Sequence, residues 1–177
     1  MYILLIILLL VATLTDVVRH KIPNIISLGG IILGFICQAW YFGMSGITDG
    51  LLGMLVGLVL FLPFYALKAM AAGDVKLMAM VGTFLGPKIV IACVAATLIS
   101  GMILALFYII IRRSNLKNYL KRYGLMIKTL SITHKWIYIP PATNDAGTMR
   151  FPYALAINVG AIIALWYFNI TVLKIGS

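Results

Sequence analysis

Four acidic residues occur in this 177-residue chain, all of them aspartate, and two stand beside long apolar runs. Asp16 follows the run 2–14, and Asp74 precedes the run 75–86 within Ala71-Ala72-Gly73-Asp74-Val75-Lys76-Leu77. Asp49 and Asp145 lie in turn-like, polar surroundings. A carboxylate at the edge of a membrane span is costly, which makes Asp16 and Asp74 candidates for a functional site. Two carboxyl groups that share a proton can hydrolyse an amide. The ionised one takes a proton from water, and the protonated one polarises the carbonyl or protonates the leaving nitrogen. Such a pair titrates as a unit. Ion carriers also use intramembrane acids, so the chemistry turns on whether the two carboxylates share a depth.

Each acid also has a plainer reading. Asp74, after a glycine and ahead of an apolar helix, suits a helix N-cap that accepts backbone N–H groups and faces the positive end of the helix dipole. That role is compatible with catalysis. Asp16 suits a local ion pair with Arg19 or His20. Against this, a position near a helix C-terminus disfavours its charge.

The elements that must position these groups follow from composition. The chain is 63% hydrophobic and 10% charged, with a mean hydropathy of +1.11. That pattern excludes an ordinary soluble domain and predicts an all-α integral membrane protein of one domain, 1–177, held by helix packing in lipid. The net charge of +10 reflects lysines and arginines clustered beside apolar runs. Positive-inside bias and anionic lipid head groups account for it, and a nucleic-acid partner does not. Cys37 and Cys93 lie in apolar runs and form no CxxC, which excludes a disulfide framework or zinc site. His20 and His134 are not spaced as metal ligands, and no Ser/His/Asp constellation stands at membrane depth. The N-terminus is apolar from Tyr2 without a basic leader region, unlike a cleaved signal peptide.

Six apolar segments are long enough, or nearly so, to span: 2–18, 25–42, roughly 50–67, 75–86, 89–111 and 151–173. The fourth is short, about 18 Å at 1.5 Å per residue, and Gly86-Pro87 punctuates its end. With the N-terminus outside, Arg19, Lys21, Lys68, Lys76 and the eight basic residues of 112–150 fall inside, and only Lys88 and Lys174 fall outside. This asymmetry places both termini outside and sets Asp16 and Asp74 at one depth on the cytoplasmic face, with Asp49 opposite. In the basic loop 112–150, Leu116, Tyr119, Leu120, Tyr123, Ile127 and Leu130 recur at helical spacing. They predict an amphipathic helix in the interface, with Trp136 and Tyr138 as anchors. Gly53 and Gly57 form a GxxxG match suited to close helix approach. Thr13, Thr15 and Asn158 are candidates for hydrogen bonds between helices.

Ala71-Ala72-Gly73-Asp74-Val75-Lys76-Leu77 resembles the GxGD-x-K-L signature of type IV prepilin peptidases. Asp16 followed by Lys21-Ile22-Pro23-Asn24 is similar to that family's first catalytic aspartate and its downstream Ile-Pro-Asn. Phe151-Pro152-Tyr153-Ala154 resembles the family's opening of its last span. Ala71 and Ala154 stand where the family commonly has glycine. The resemblance implies a six-span aspartic endopeptidase with Asp16 and Asp74 catalytic. Gly73 would permit close backbone approach beside Asp74, and Pro23 and Asn24 would support the site. Lys76 would orient or tune Asp74, or meet lipid phosphate. It implies no metal or cofactor. The substrate would be a type IV prepilin or pseudopilin, cut after its short basic leader at the cytoplasmic face of the inner membrane. Absence of the family's N-terminal domain with two CxxC pairs implies peptidase activity without methyltransferase activity, as in the small enzymes of tight-adherence (Flp) pili. Archaeal preflagellin peptidases share the architecture. Outside this class, the same acids would suit a small proton- or cation-coupled carrier, or a non-catalytic assembly protein.

Overall fold

The computed structural model describes residues 1–19, 21–67, 69–112 and 153–175. These residues are all-helical. They form α1 (Tyr2–Arg19), α2 (Asn24–Ala66), α3 (Ala72–Arg112) and α4 (Tyr153–Ile175). By length and composition, three stretches can cross a membrane: Tyr2–Arg19, Asn24–Ala66 and Ala72–Phe107. Tyr153–Phe168 is a shorter apolar helix. The described residues of 1–102 and of 153–175 belong to one compact unit, which carries both Asp16 and Asp74. The amphipathic helix and anchors expected in 113–150, together with His20 and Lys68, lie outside the described residues.

The segment expected over 2–18 is α1. The expected loop between 42 and 50 is not a loop. Helix continues on both sides of a single residue, Gly43, with φ 62° and ψ −143°. A residue with a Cβ rarely adopts such angles, so glycine alone makes the break without a linker. At 1.5 Å per residue the 43 residues of α2 would extend about 65 Å if straight, twice the apolar thickness of a bilayer. They are not straight. A Cβ placed on Gly50 would lie 3.4 Å from Gln38 Cγ and 3.5 Å from Phe35 Cε1, residues that a straight helix would hold about 18–22 Å away. The chain therefore folds back on itself at Gly43.

Gly86, with φ 73° and ψ 174°, breaks α3 in the same way. Gly57 sits against both Met78 O and Val90 Cγ2, so the parts of α3 before and after Gly86 also lie side by side. Pro87 carries no N–H, which deprives Thr83 O of its helical donor. Gln38, 4% exposed, supplies the replacement: its Nε2 donates to Thr83 O at 3.2 Å and to Phe84 O at 3.1 Å. The reversal in α3 is thus satisfied by a side chain from α2, as buried carbonyls in an apolar interior demand.

The GxxxG match faces α3. Gly53 and Gly82 meet backbone to backbone, and a Cβ on Gly57 would stand 2.8 Å from Met78 O. In lipid, this van der Waals contact holds helices together where a water-driven force is absent. The buried face of α1 is Leu5, Leu9, Ala12 and Asp16, a stripe at helical spacing that carries Asp16 inward. Large apolar side chains point outward instead, among them Ile3, Val18, Ile25, Trp40 and Met44.

Gln38→Leu removes both hydrogen bonds at the Gly86 break and leaves the buried Thr83 carbonyl unpaired, at about 1–3 kcal/mol. The expected outcome is a lower thermal unfolding midpoint of the detergent-solubilised protein. An unchanged midpoint would show that Gln38 does not stabilise the break.

Candidate active site

The expectation that Asp74 is the N-cap of its helix is corrected by the structure. The helix begins at Ala72, ahead of Val75, which puts Asp74 inside the first turn. Asp74 N donates to Ala71 O at 3.1 Å, and Asp74 Oδ2 accepts the Ala71 N–H at 3.0 Å. This is the back-reaching half of a capping box, in which an acidic side chain three residues into the helix satisfies the N–H of the cap residue. The carboxylate also gains from the positive end of the α3 dipole. Asp74 is 5% exposed.

Asp16 is 7% exposed and lies in the last turn of α1, where the dipole of its own helix opposes a negative charge. A second helix supplies what α1 cannot. Asp16 Oδ2 accepts the Ala154 N–H at 3.2 Å. That N–H belongs to the first turn of α4 and is one of the donors that a helix start leaves unpaired. The carboxylate therefore sits at the positive end of α4. Side chains support the same junction. Thr13 Oγ1 donates to Leu9 O at 2.7 Å and approaches Ala154 O at 3.4 Å. Asn158 Nδ2 donates to Thr13 Oγ1 at 3.4 Å. Thr13 and Asn158 thus link α1 to α4 as anticipated, whereas Thr15 bonds within its own helix, to Ala12 O.

Asp16 is joined to the start of α4 by the Ala154 N–H. Asp16 and Asp74 act on each other electrostatically, and Asp74 does the same with Tyr153, the residue before Ala154. The Tyr153 ring packs edge-on against Phe61, with centroids 6.4 Å apart. It also crosses Gly101 closely, since a Cβ there would come within 2.8 Å of the phenol oxygen. The family resemblance pointed to Phe151-Pro152-Tyr153-Ala154 but not to its task. In the structure the task of Ala154 is performed by a backbone N–H, which no side-chain pattern reports.

The remaining site residues gather into one contact. Pro23 precedes α2 in extended conformation, with φ −62° and ψ 136°, and its carbonyl accepts the Ile26 N–H at 3.0 Å. Lys76 Nζ donates to Asn24 Oδ1 at 2.9 Å on the exposed side. Gly73 has Ile22 as its close neighbour: a Cβ on Gly73 would stand 3.2 Å from Ile22 Cβ. The segment 22–24 and the first turn of α3 are therefore clasped at two points, one apolar and one polar. Among the described residues, no three His, Cys, Asp or Glu side chains group as metal ligands would. Two carboxylates and backbone donors in a nearly dry setting can move protons to and from a bound water and amide.

Gly73→Ala forces Ile22 to yield, and the site loosens. The expected outcome is a lower unfolding midpoint, partly relieved when Ile22→Ala is added, with a coupling of about 0.5–3 kcal/mol between neighbours. Strict additivity of the two changes would contradict the contact.

The type IV leader peptidase family model matches residues 3–110, a stretch that includes Asp16, Pro23, Asn24, Gly73, Asp74 and Lys76. No curated protein and no solved structure matches the chain. The match takes in well over half of the 177 residues, and the chain belongs to the type IV leader peptidase family.

Proposed function

We propose that this protein is an intramembrane aspartic endopeptidase that removes the short basic leader from type IV prepilins or pseudopilins. The single observation that carries the proposal is that Asp16 and Asp74 are both buried in one helical unit and act on each other electrostatically. Membership of a leader peptidase family supplies the reaction type and the substrate class.

In this account one carboxyl is ionised and takes a proton from the attacking water, while the other is protonated and hydrogen-bonds the scissile carbonyl. As the tetrahedral intermediate collapses, a proton passes to the leaving nitrogen, and the pair returns to its singly protonated state. Backbone donors from Ala71 and Ala154 hold one oxygen of each carboxylate. Gly73 and Ile22, with Lys76, Asn24 and Pro23, keep the first turn of α3 in place. The chemistry needs no metal or cofactor.

The chain would cross the membrane six times. The reversals at Gly43 and Gly86 support this count, because each divides a long apolar helix into two antiparallel passes. The distribution of basic residues supports termini outside, a basic loop at 112–150 inside, and a site on the cytoplasmic face of the inner membrane. Cleavage there suits a prepilin whose basic leader remains in the cytoplasm while its apolar helix lies in lipid.

Co-expression with a tight-adherence (Flp) prepilin, followed by the mass of the pilin, tests the proposal. Wild type is expected to remove the leader. Asp16→Asn and Asp74→Asn are each expected to lower the rate by about 10²–10⁴-fold or more while still inserting. Processing retained in either variant would sink the catalytic pair.

A further inference from the structure

Asn158 is the one residue at the α1–α4 junction whose placement the catalytic account leaves unexplained. It is 7% exposed, and its Oδ1 is a buried acceptor without a hydrogen-bond partner among the described residues. Its Nδ2 is used, in the bond to Thr13 Oγ1 at 3.4 Å. The other buried residues along α4 are apolar, among them Ala154, Ile157, Ala161 and Ala164. A half-satisfied amide in such a place weakens the packing that leucine, of the same branching, would provide. Retention of a buried polar group against stability calls for a functional explanation.

Position suggests what that explanation is. Asn158 lies one helical turn beyond Ala154 on α4, and Thr13 lies nearly one turn before Asp16 on α1. The Asn158–Thr13 bond is therefore a second polar rung between the same two helices, adjoining the one that Ala154 N–H makes to Asp16 Oδ2. Thr13 Oγ1 also approaches the Ala154 carbonyl at 3.4 Å, so the two rungs share a residue. Helices that slide or rotate against each other by a fraction of a turn would break both rungs together. Apolar contacts alone permit such small shifts, because they lack direction.

We propose that Asn158 and Thr13 are positioning residues. They fix the register of α4 against α1 so that the Ala154 N–H meets Asp16 in the geometry that catalysis requires. The inference rests on the peptidase reading for its kinetic consequence, but not for its structural one. Its signature is a separation of activity from stability. Asn158→Leu fills the site with an apolar side chain and leaves nothing unpaired on α4. Thr13→Val removes the same rung from the other side with little change in shape.

The test measures prepilin cleavage, thermal unfolding and the infrared carboxyl band of Asp16, assigned by its loss in Asp16→Asn. Asn158→Leu is expected to unfold at or above the wild-type midpoint and Thr13→Val, which strands the Asn158 amide, below it. Both are expected to lose about 10-fold or more in kcat with KM little changed, as a small misplacement at a reacting group produces. Combined, they are expected to lose no more than either alone, since both cut one bond. Thr13→Ser, which keeps the hydroxyl, is expected to retain activity. The Asp16 band is expected to shift in Asn158→Leu and in Thr13→Val. Unchanged kcat in both variants, or activity falling only in step with the unfolding midpoint, would overturn the positioning role. Should Asp16→Asn still cleave, the catalytic pair is lost, and the infrared band decides the positioning claim alone: a shift supports it, and an unmoved band refutes it.

Discussion

A carboxylate in an apolar helix bundle needs backbone donors, and the structure is arranged around supplying them. Asp74 finds its donor within its own first turn, at Ala71. Asp16 cannot, because it stands at the wrong end of α1 for its charge. It accepts the Ala154 N–H at the start of α4. That bond requires helices distant in sequence to pack at one register, with the free N–H groups of α4 at the depth where α1 ends. The stripe Leu5, Leu9, Ala12 and the small residues Ala154, Ala161 and Ala164 are all buried and permit that packing.

Close approach of backbones recurs across the bundle and performs two jobs. Where Gly53 and Gly82 touch, and where Gly57 meets Met78 O, it joins α2 to the part of α3 that begins with Asp74. Where Gly160 meets Thr97, and where Ser100 Oγ donates to Ala156 O at 3.1 Å, it joins α4 to the part of α3 beyond Gly86. Both parts of α3 are thereby tied to neighbours. The Gly86 reversal between them is sealed by Gln38. The site inherits its rigidity from these contacts, because both Asp74 and the start of α4 are held by helices that cannot move apart freely.

Much of this was legible in the sequence because lipid imposes strict rules. The apolar runs, the reversal signal Gly86-Pro87 and the small number of acids pointed to a helical membrane protein and singled out Asp16 and Asp74, both of which are buried. Other features were not legible. Gly43 reads as one glycine among sixteen, and only its positive φ shows that it reverses the chain without a loop. Asp74 looked like an N-cap because the apolar run starts at Val75, whereas helix formation needs no apolar residue and begins at Ala72. One donor to Asp16 is a main-chain group 138 residues away, and no property of the Ala154 side chain encodes it. The role of Gln38 appears only once the break at Gly86 sits beside it.

The central claim is that Asp16 and Asp74 face one another in the folded protein. Thiol cross-linking in native membranes tests it most directly, in a background carrying Cys37→Ala and Cys93→Ala. The pair Asp16→Cys and Asp74→Cys is treated with a short bifunctional thiol reagent and scored by mass. Asn24→Cys with Lys76→Cys, whose side chains touch in the structure, serves as the positive control. The account predicts an intramolecular cross-link in both pairs. A link in the control pair with none between positions 16 and 74 would contradict it.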